Sequence, residues 1–259
     1  MRELVQPLRD GLRGRTRPGV GGASRALAPD EIAAPPLVGR GTIALAPKAL
    51  RRADVLAAGE GKRRAREIDM LRTYMLHKME AQNACSLAVI GAQRGVGATF
   101  TAVNLAWSMA RRRDQRILLV DANLRSPALS SRFSLSTHLG LTHYLEGRAE
   151  LEECVYEVES GGKSLLVMPC TASDEAAELL ASRRMNELLD RLRRSRPEVV
   201  AVLDLPALLW CDDALGVLPK LDSALLVVAA GRTRRAEIDA VAGLVSEDKL
   251  AGVVLNDYR

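Results

Sequence analysis

The chain has 259 residues, 47% hydrophobic and 27% charged, enough to bury one sizeable core with sequence to spare. The formal net charge of +5 is unevenly placed: residues 1–66 carry 14 Lys/Arg against 6 Asp/Glu, and the remainder is slightly acidic. No apolar run nears the roughly 18–20 residues that cross a bilayer, and the arginine-dotted start lacks the apolar block of a secretory signal, so the expectation is a cytoplasmic protein.

In chain order, residues 1–64 come first. Pro7, Pro18, Pro29, Pro35, Pro36 and Pro47 alternate with glycines and arginines, a composition that cannot bury enough apolar surface to offset its ordering entropy. The expectation is a basic, largely disordered tail, either a solvated linker or an electrostatic tether to anionic lipid or an acidic partner. A lead-in helix follows over 65–82, with Ile68, Leu71, Met75 and Met79 on one stripe.

Beyond it, apolar runs at 85–91, 116–121, 164–169, 198–205, 223–230 and 251–256 alternate with amphipathic segments. Ala102, Leu105, Ala106 and Met109 line one predicted helix; Met185, Leu188, Leu189 and Leu192 line a second; a third spans about 234–246. Strands that are apolar throughout belong to parallel sheets covered on both faces. Residues 65–259 are therefore expected to form one α/β domain with a doubly wound, mostly parallel sheet.

The turn after the first run, Gly91-Ala92-Gln93-Arg94-Gly95-Val96-Gly97-Ala98-Thr99, has the layout of a P-loop, in which backbone N–H groups ring a phosphate at a helix N-terminus. The lysine that should follow the last glycine is Ala98, while the metal-ligating hydroxyl position is kept by Thr99. Arg94, Gly95, Val96, Gly97, Ala98, Thr99 and Phe100 form the expected nucleotide-contacting set, with Arg94 the available substitute cation. Asp121 and Asp204 each end an apolar strand, where open parallel sheets collect ligands. With Thr99 they make the expected Mg²⁺ set and, as two carboxylates facing a phosphate loop, the residual catalytic pair. The four cysteines form no Cys-x-x-Cys pair, so neither zinc nor a disulfide framework is expected.

From Arg66 to Asn256 the chain resembles the bacterial tyrosine kinase (BY-kinase) family of capsule and exopolysaccharide systems. Residues 121–127, Asp-Ala-Asn-Leu-Arg-Ser-Pro, resemble the family's Asp-Ala-Asp-Leu-Arg-x-Pro. Gly140-Leu141-Thr142 with Leu145 and Gly147 resembles Gly-Leu-x-x-x-Leu-x-Gly, and Glu178-Leu179-Leu180-Ala181-Ser182 with Met185 resembles Glu-Leu-Leu-x-Ser-x-x-Met. Leu203-Asp204-Leu205-Pro206, Asp213-Ala214 and Ala230-Gly231-Arg232-Thr233-Arg234 stand where the family has similar segments.

The resemblance implies a P-loop NTPase-like fold, ATP/ADP and Mg²⁺ as cofactors, and a membrane chain-length regulator as partner, placing the protein peripherally at the inner membrane. Three departures touch the same chemistry: Ala98 for lysine, Asn123 for the second aspartate, and Tyr258 alone where members end in a tyrosine cluster. The expectation is a kinase-like regulator of polysaccharide biosynthesis or export, impaired in catalysis, with nucleotide binding weak or absent. The alternatives are an active tyrosine autokinase of the same pathway and a MinD/ParA-like positioning ATPase, the latter disfavoured by Gln93 where those proteins carry a lysine. No specific nucleic acid is expected. The family's assembly motif Glu-x-x-Arg-x-x-Arg aligns with Arg66, Asp69 and Arg72, exchanging the first two charges, which implies altered homo- or hetero-oligomer pairing through helix 65–82.

Overall fold

The computed structural model describes residues 37–56, 63–112, 114–135 and 139–256; most of the basic tail, His138 and Tyr258 lie outside them. All six apolar runs are strands: β2 (Ser86–Gly91), β3 (Arg116–Asp121), β5 (Lys163–Met168), β6 (Val199–Asp204), β7 (Ser223–Ala229) and β8 (Leu250–Asn256). They join β1 (Thr42–Ala44) and β4 (Tyr156–Ser160) in one sheet of order β1-β4-β5-β3-β6-β2-β7-β8. Only the β4–β5 pair is antiparallel among the described residues.

Helices cover both faces. Leu87 and Val89 of β2 pack with α2 (Arg63–Ala81) and α3 (Ala98–Met109), while Ala88 and Ile90 pack into the opposite layer with α5 (Leu141–Leu145), α6 (Ala176–Ala181) and α7 (Arg183–Arg194). The predicted stripes on α2 and α7 are buried as expected. α3 differs: every residue from Thr101 to Met109 is buried, because α2 covers the side turned away from the sheet.

Residues 37–56 correct the expected boundary at 64. β1 pairs with β4, α1 (Pro47–Arg52) buries Leu50, and Leu37 and Val55 are also buried. Asn104 of α3 fixes this segment by donating to the Asp54 carbonyl at 2.9 Å and accepting from the Leu56 amide at 2.7 Å. A three-residue strand draws its order from the β4 edge rather than from its own sequence, so composition alone could not reveal it. β4 itself alternates apolar and polar residues, unlike the uniformly apolar runs, and its hairpin turns on Gly161 and Gly162, both at positive φ.

Asp69 on α2 is used within the chain. Its carboxylate accepts from the Ser108 hydroxyl at 2.6 Å, from Arg111 at 2.9 Å and from Arg72 at 3.2 Å, stapling α2 to α3. Burial alone would raise this carboxyl, but the Ser108 and Arg111 hydrogen bonds with the Arg111 and Arg72 charges hold it below its ordinary value. The charge exchanged in the assembly motif is thus neutralised internally. Asp69→Ala should cost about 1–2 kcal/mol in urea unfolding at pH 7, with an unchanged m-value. The loss should shrink as pH falls through the depressed carboxyl pKa, since the stability it removes exists only while Asp69 is ionised.

Candidate nucleotide site

Strand order creates the site. β2 and β3 flank β6, so consecutive crossovers leave a crevice beyond the carboxyl ends of these three strands. From β2 the chain folds tightly over the strand end: a Cβ on Gly91 would lie 2.8 Å from the Val96 side chain. Gly95 and Gly97 adopt φ of +73° and +91°, which bring the loop onto the first turn of α3. The α3 ladder opens with the Thr101 amide on the Gly97 carbonyl at 2.9 Å, so the amides before it have no partner within the helix.

Later segments clamp this loop. The Asn256 side-chain amide, at the end of β8, donates to the Val96 carbonyl at 2.9 Å and lies so close to Gly97 that a Cβ there would be 2.1 Å from it. Arg232 donates to the Gly95 carbonyl at 3.4 Å, and Gln93 donates to Glu237 on α8 (Arg235–Leu244).

The loop opens into a cleft of about 410 Å³ lined by Gly91, every residue from Gln93 to Phe100, and side chains from four other segments, among them Asp54, Asn123, Arg132, Trp210 and Asn256. All seven loop residues expected to contact nucleotide are here. Ala98 is the first residue of α3 and presents only a methyl where a P-loop carries its ammonium. Arg94 is exposed on the rim, its guanidinium 4.3 Å from the Trp210 ring centre.

Asp121 and Asp204 do not themselves line the cleft: they are in register on adjacent strands and fully buried, close in sequence to the lining residues Asn123 and Leu205. Burial pushes both carboxyls up, Asp204 to about 8, where the neighbouring Asp121 charge adds to the effect. Asp121 is partly relieved by the amides of Leu129 and Ala128, at 2.9 and 2.8 Å, which begin α4 (Leu129–Arg132), and by a 3.4 Å contact from the Asn123 amide. Asp204 has less relief: the Thr99 hydroxyl lies near enough to favour its charge, yet neither oxygen has a hydrogen-bond partner of ordinary geometry.

Orphaned oxygens on a buried carboxylate, with Thr99 and a second carboxylate alongside, suit a hard divalent ion such as Mg²⁺, which takes few protein oxygens and completes its shell with water and phosphate. Asn123, at the family's second aspartate, contributes no charge, and its Oδ1 is buried without a partner. Nearby, Arg125 grips Asp213 with bonds of 2.7 and 3.0 Å, joining two of the family-like motifs.

Sequence patterns missed Asp54, Arg132, Trp210 and Asn256 as cleft residues. Asn256 could have been sought at the end of the last parallel strand; the others occupy segments without a motif.

No protein-family profile matches the chain. The tyrosine-protein kinase CpsD of Streptococcus pneumoniae is 30% identical over 175 residues, covering 66% of this chain and 74% of CpsD. The chain belongs to the bacterial tyrosine kinase family. Against a longer BY-kinase relative, Ptk of Acinetobacter johnsonii, it is 26% identical and spans about a quarter (26%) of that protein. The kinase domain of the Escherichia coli tyrosine kinase Etk superposes with a TM-score of 0.67 at 26% identity, covering 78% of this chain and 79% of that one. The fold extends beyond BY-kinases: the MinD protein of Pyrococcus horikoshii, solved with Mg-ADP, gives a TM-score of 0.53 at 20% identity over 67% of this chain and 70% of MinD.

The raised Asp204 carboxyl sets a pH dependence. Its proton is held by the folded state above the pH at which the unfolded chain releases it, so this stability is complete below about pH 4 and is lost as pH rises toward 8. In EDTA, Asp204→Asn should melt close to wild type at pH 4 and several degrees above it at pH 8. Added Mg²⁺ should narrow the difference at pH 8 by stabilising wild type. A pH-independent gap would contradict this account.

Proposed function

We propose that this protein binds ATP or ADP with Mg²⁺ weakly and regulates polysaccharide biosynthesis or export as a kinase-like component, with phosphoryl transfer strongly impaired. The observation that carries the proposal is Ala98 at the start of α3, in a cleft whose backbone cradle is otherwise complete. Loss of one preorganised cation at a triphosphate removes about 3–4 kcal/mol of transition-state stabilisation, or two to three orders of magnitude in rate.

The residues present divide the remaining work. The amides of the 95–99 loop and the N-terminus of α3 bind and orient phosphate. Thr99, Asp121 and Asp204 would hold Mg²⁺, which when bound neutralises phosphate charge. To serve as a ligand Asp204 would have to give up its proton, which would couple metal binding to pH.

The pathway rests on the relatives. Relatives from Acinetobacter johnsonii and Streptococcus pneumoniae are tyrosine-protein kinases, and one from Klebsiella pneumoniae is a putative tyrosine-protein kinase in a cps region. In that setting the partner is a membrane chain-length regulator, and the site of action is the cytoplasmic face of the inner membrane. Among the described residues no helix is long and apolar enough to cross a membrane. α2 is the surface for homo- or hetero-oligomers with kinase relatives, with Arg66 and Met70 exposed on it.

Two measurements test this. Calorimetry with Mg-ATP should show Ala98→Lys binding at least tenfold more tightly than wild type; equal affinities would contradict the role assigned to residue 98. Incubation of the purified protein with labelled ATP and Mg²⁺ should yield little or no phosphotyrosine. Strong labelling that disappears in Asp121→Ala would instead establish an active autokinase.

A further inference from the structure

Two cations line the phosphate cleft among the described residues, and they occupy different places. Arg94 belongs to the rim, where it is exposed and stacked on Trp210. Arg132 lines the cleft from a separate segment, as the last residue of α4, and is half-buried.

Three features fix Arg132. The α4 backbone is anchored at its start by Asp121, whose carboxylate accepts the Ala128 and Leu129 amides at 2.8 and 2.9 Å. The guanidinium is tied at Nη1 to the Ala53 carbonyl at 2.9 Å, and that turn is held to α3 through Asn104. One donor is thereby engaged, while a guanidinium carries five N–H groups in a planar fork suited to phosphate. The same cleft is lined by Thr99 and by Asn123 and Leu205, the latter two residues adjoining the ends of the two carboxylate-bearing strands. Arg232, the third arginine near the loop, bonds the Gly95 carbonyl and does not line the cleft.

We propose that Arg132 supplies, from outside the P-loop, the positive charge that Ala98 cannot, and contacts the outer phosphates of a bound nucleoside di- or triphosphate. The inference rests on the nucleotide-binding reading above and deepens it. It assigns the substitute cation to a residue eleven positions beyond Asp121, outside the glycine loop, and makes residues 46–56 part of its support. The same carboxylate that faces the metal site positions the helix that carries the cation.

Arg132→Gln separates charge from structure, because glutamine retains a donor for the Ala53 carbonyl. In calorimetry with Mg²⁺, this variant should bind ATP and ADP about tenfold more weakly than wild type and AMP unchanged, as expected for loss of a charge-assisted contact to the outer phosphates. Arg183→Gln, at an exposed arginine of α7 that does not line the cleft, should leave ATP affinity unchanged. Ala98→Lys in the Arg132→Gln background should restore at least wild-type ATP affinity.

ATP binding by Arg132→Gln equal to wild type would overturn the inference while leaving the nucleotide site intact. Absence of ATP binding by wild type at millimolar concentration would overturn both. A second measurement uses the wild-type chain and does not depend on the folding of Arg132→Gln. The Arg132 Nε–H resonance, assigned through Arg132→Lys, should shift on addition of ATP and not of AMP; an unchanged resonance at saturating ATP would overturn the proposal.

Discussion

Two carboxylates buried side by side at the ends of neighbouring strands constrain everything around them. Asp121 and Asp204 cannot both carry full charge in a site sealed from water without a compensating cation, and the fold meets that demand unequally. Asp121 is supported by backbone amides and in return starts α4. Asp204 retains oxygens without partners, a costly arrangement in a pure scaffold and a sensible one where a metal ion is to be received. The parallel register of β3 and β6 enforces this pairing, so the sheet order is inseparable from the chemistry it presents.

Against that background the substitution at position 98 is selective. Backbone amides and glycine conformations survive any side-chain change, and the loop keeps both positive-φ glycines and its fit against Asn256. What is missing is a charge at one point. On the proposed function, a site altered in this way would keep its shape while losing electrostatic stabilisation of a transferring phosphoryl group from position 98. Family membership by itself does not imply a fast enzyme.

Much of the architecture was legible because central parallel strands are uniformly apolar and stand out from their surroundings. Asp121 and Asp204 were found by being the polar residues that close such runs. Less visible was anything whose order is borrowed: β1 is too short to announce itself, and Pro47 reads as a breaker although it sits comfortably in the first turn of α1. Arg132 and Trp210 meet the phosphate loop only through the fold, separated from it in sequence by tens of residues. Asp69 was legible only as a helix charge; its intrachain bonds to Ser108, Arg111 and Arg72 depend on the packing of α2 against α3.

The contact between Asn256 and Val96 has a mechanical implication. β8 is the outermost strand on its side of the sheet, bonded only to β7 among the described strands, and its last residue latches the glycine turn. A movement of the turn toward an arriving anion must stretch or release this latch and so tugs on the sheet's margin. Anything that displaced that margin would bear on the glycine turn through the same short linkage, so the periphery of the molecule is tied to its centre.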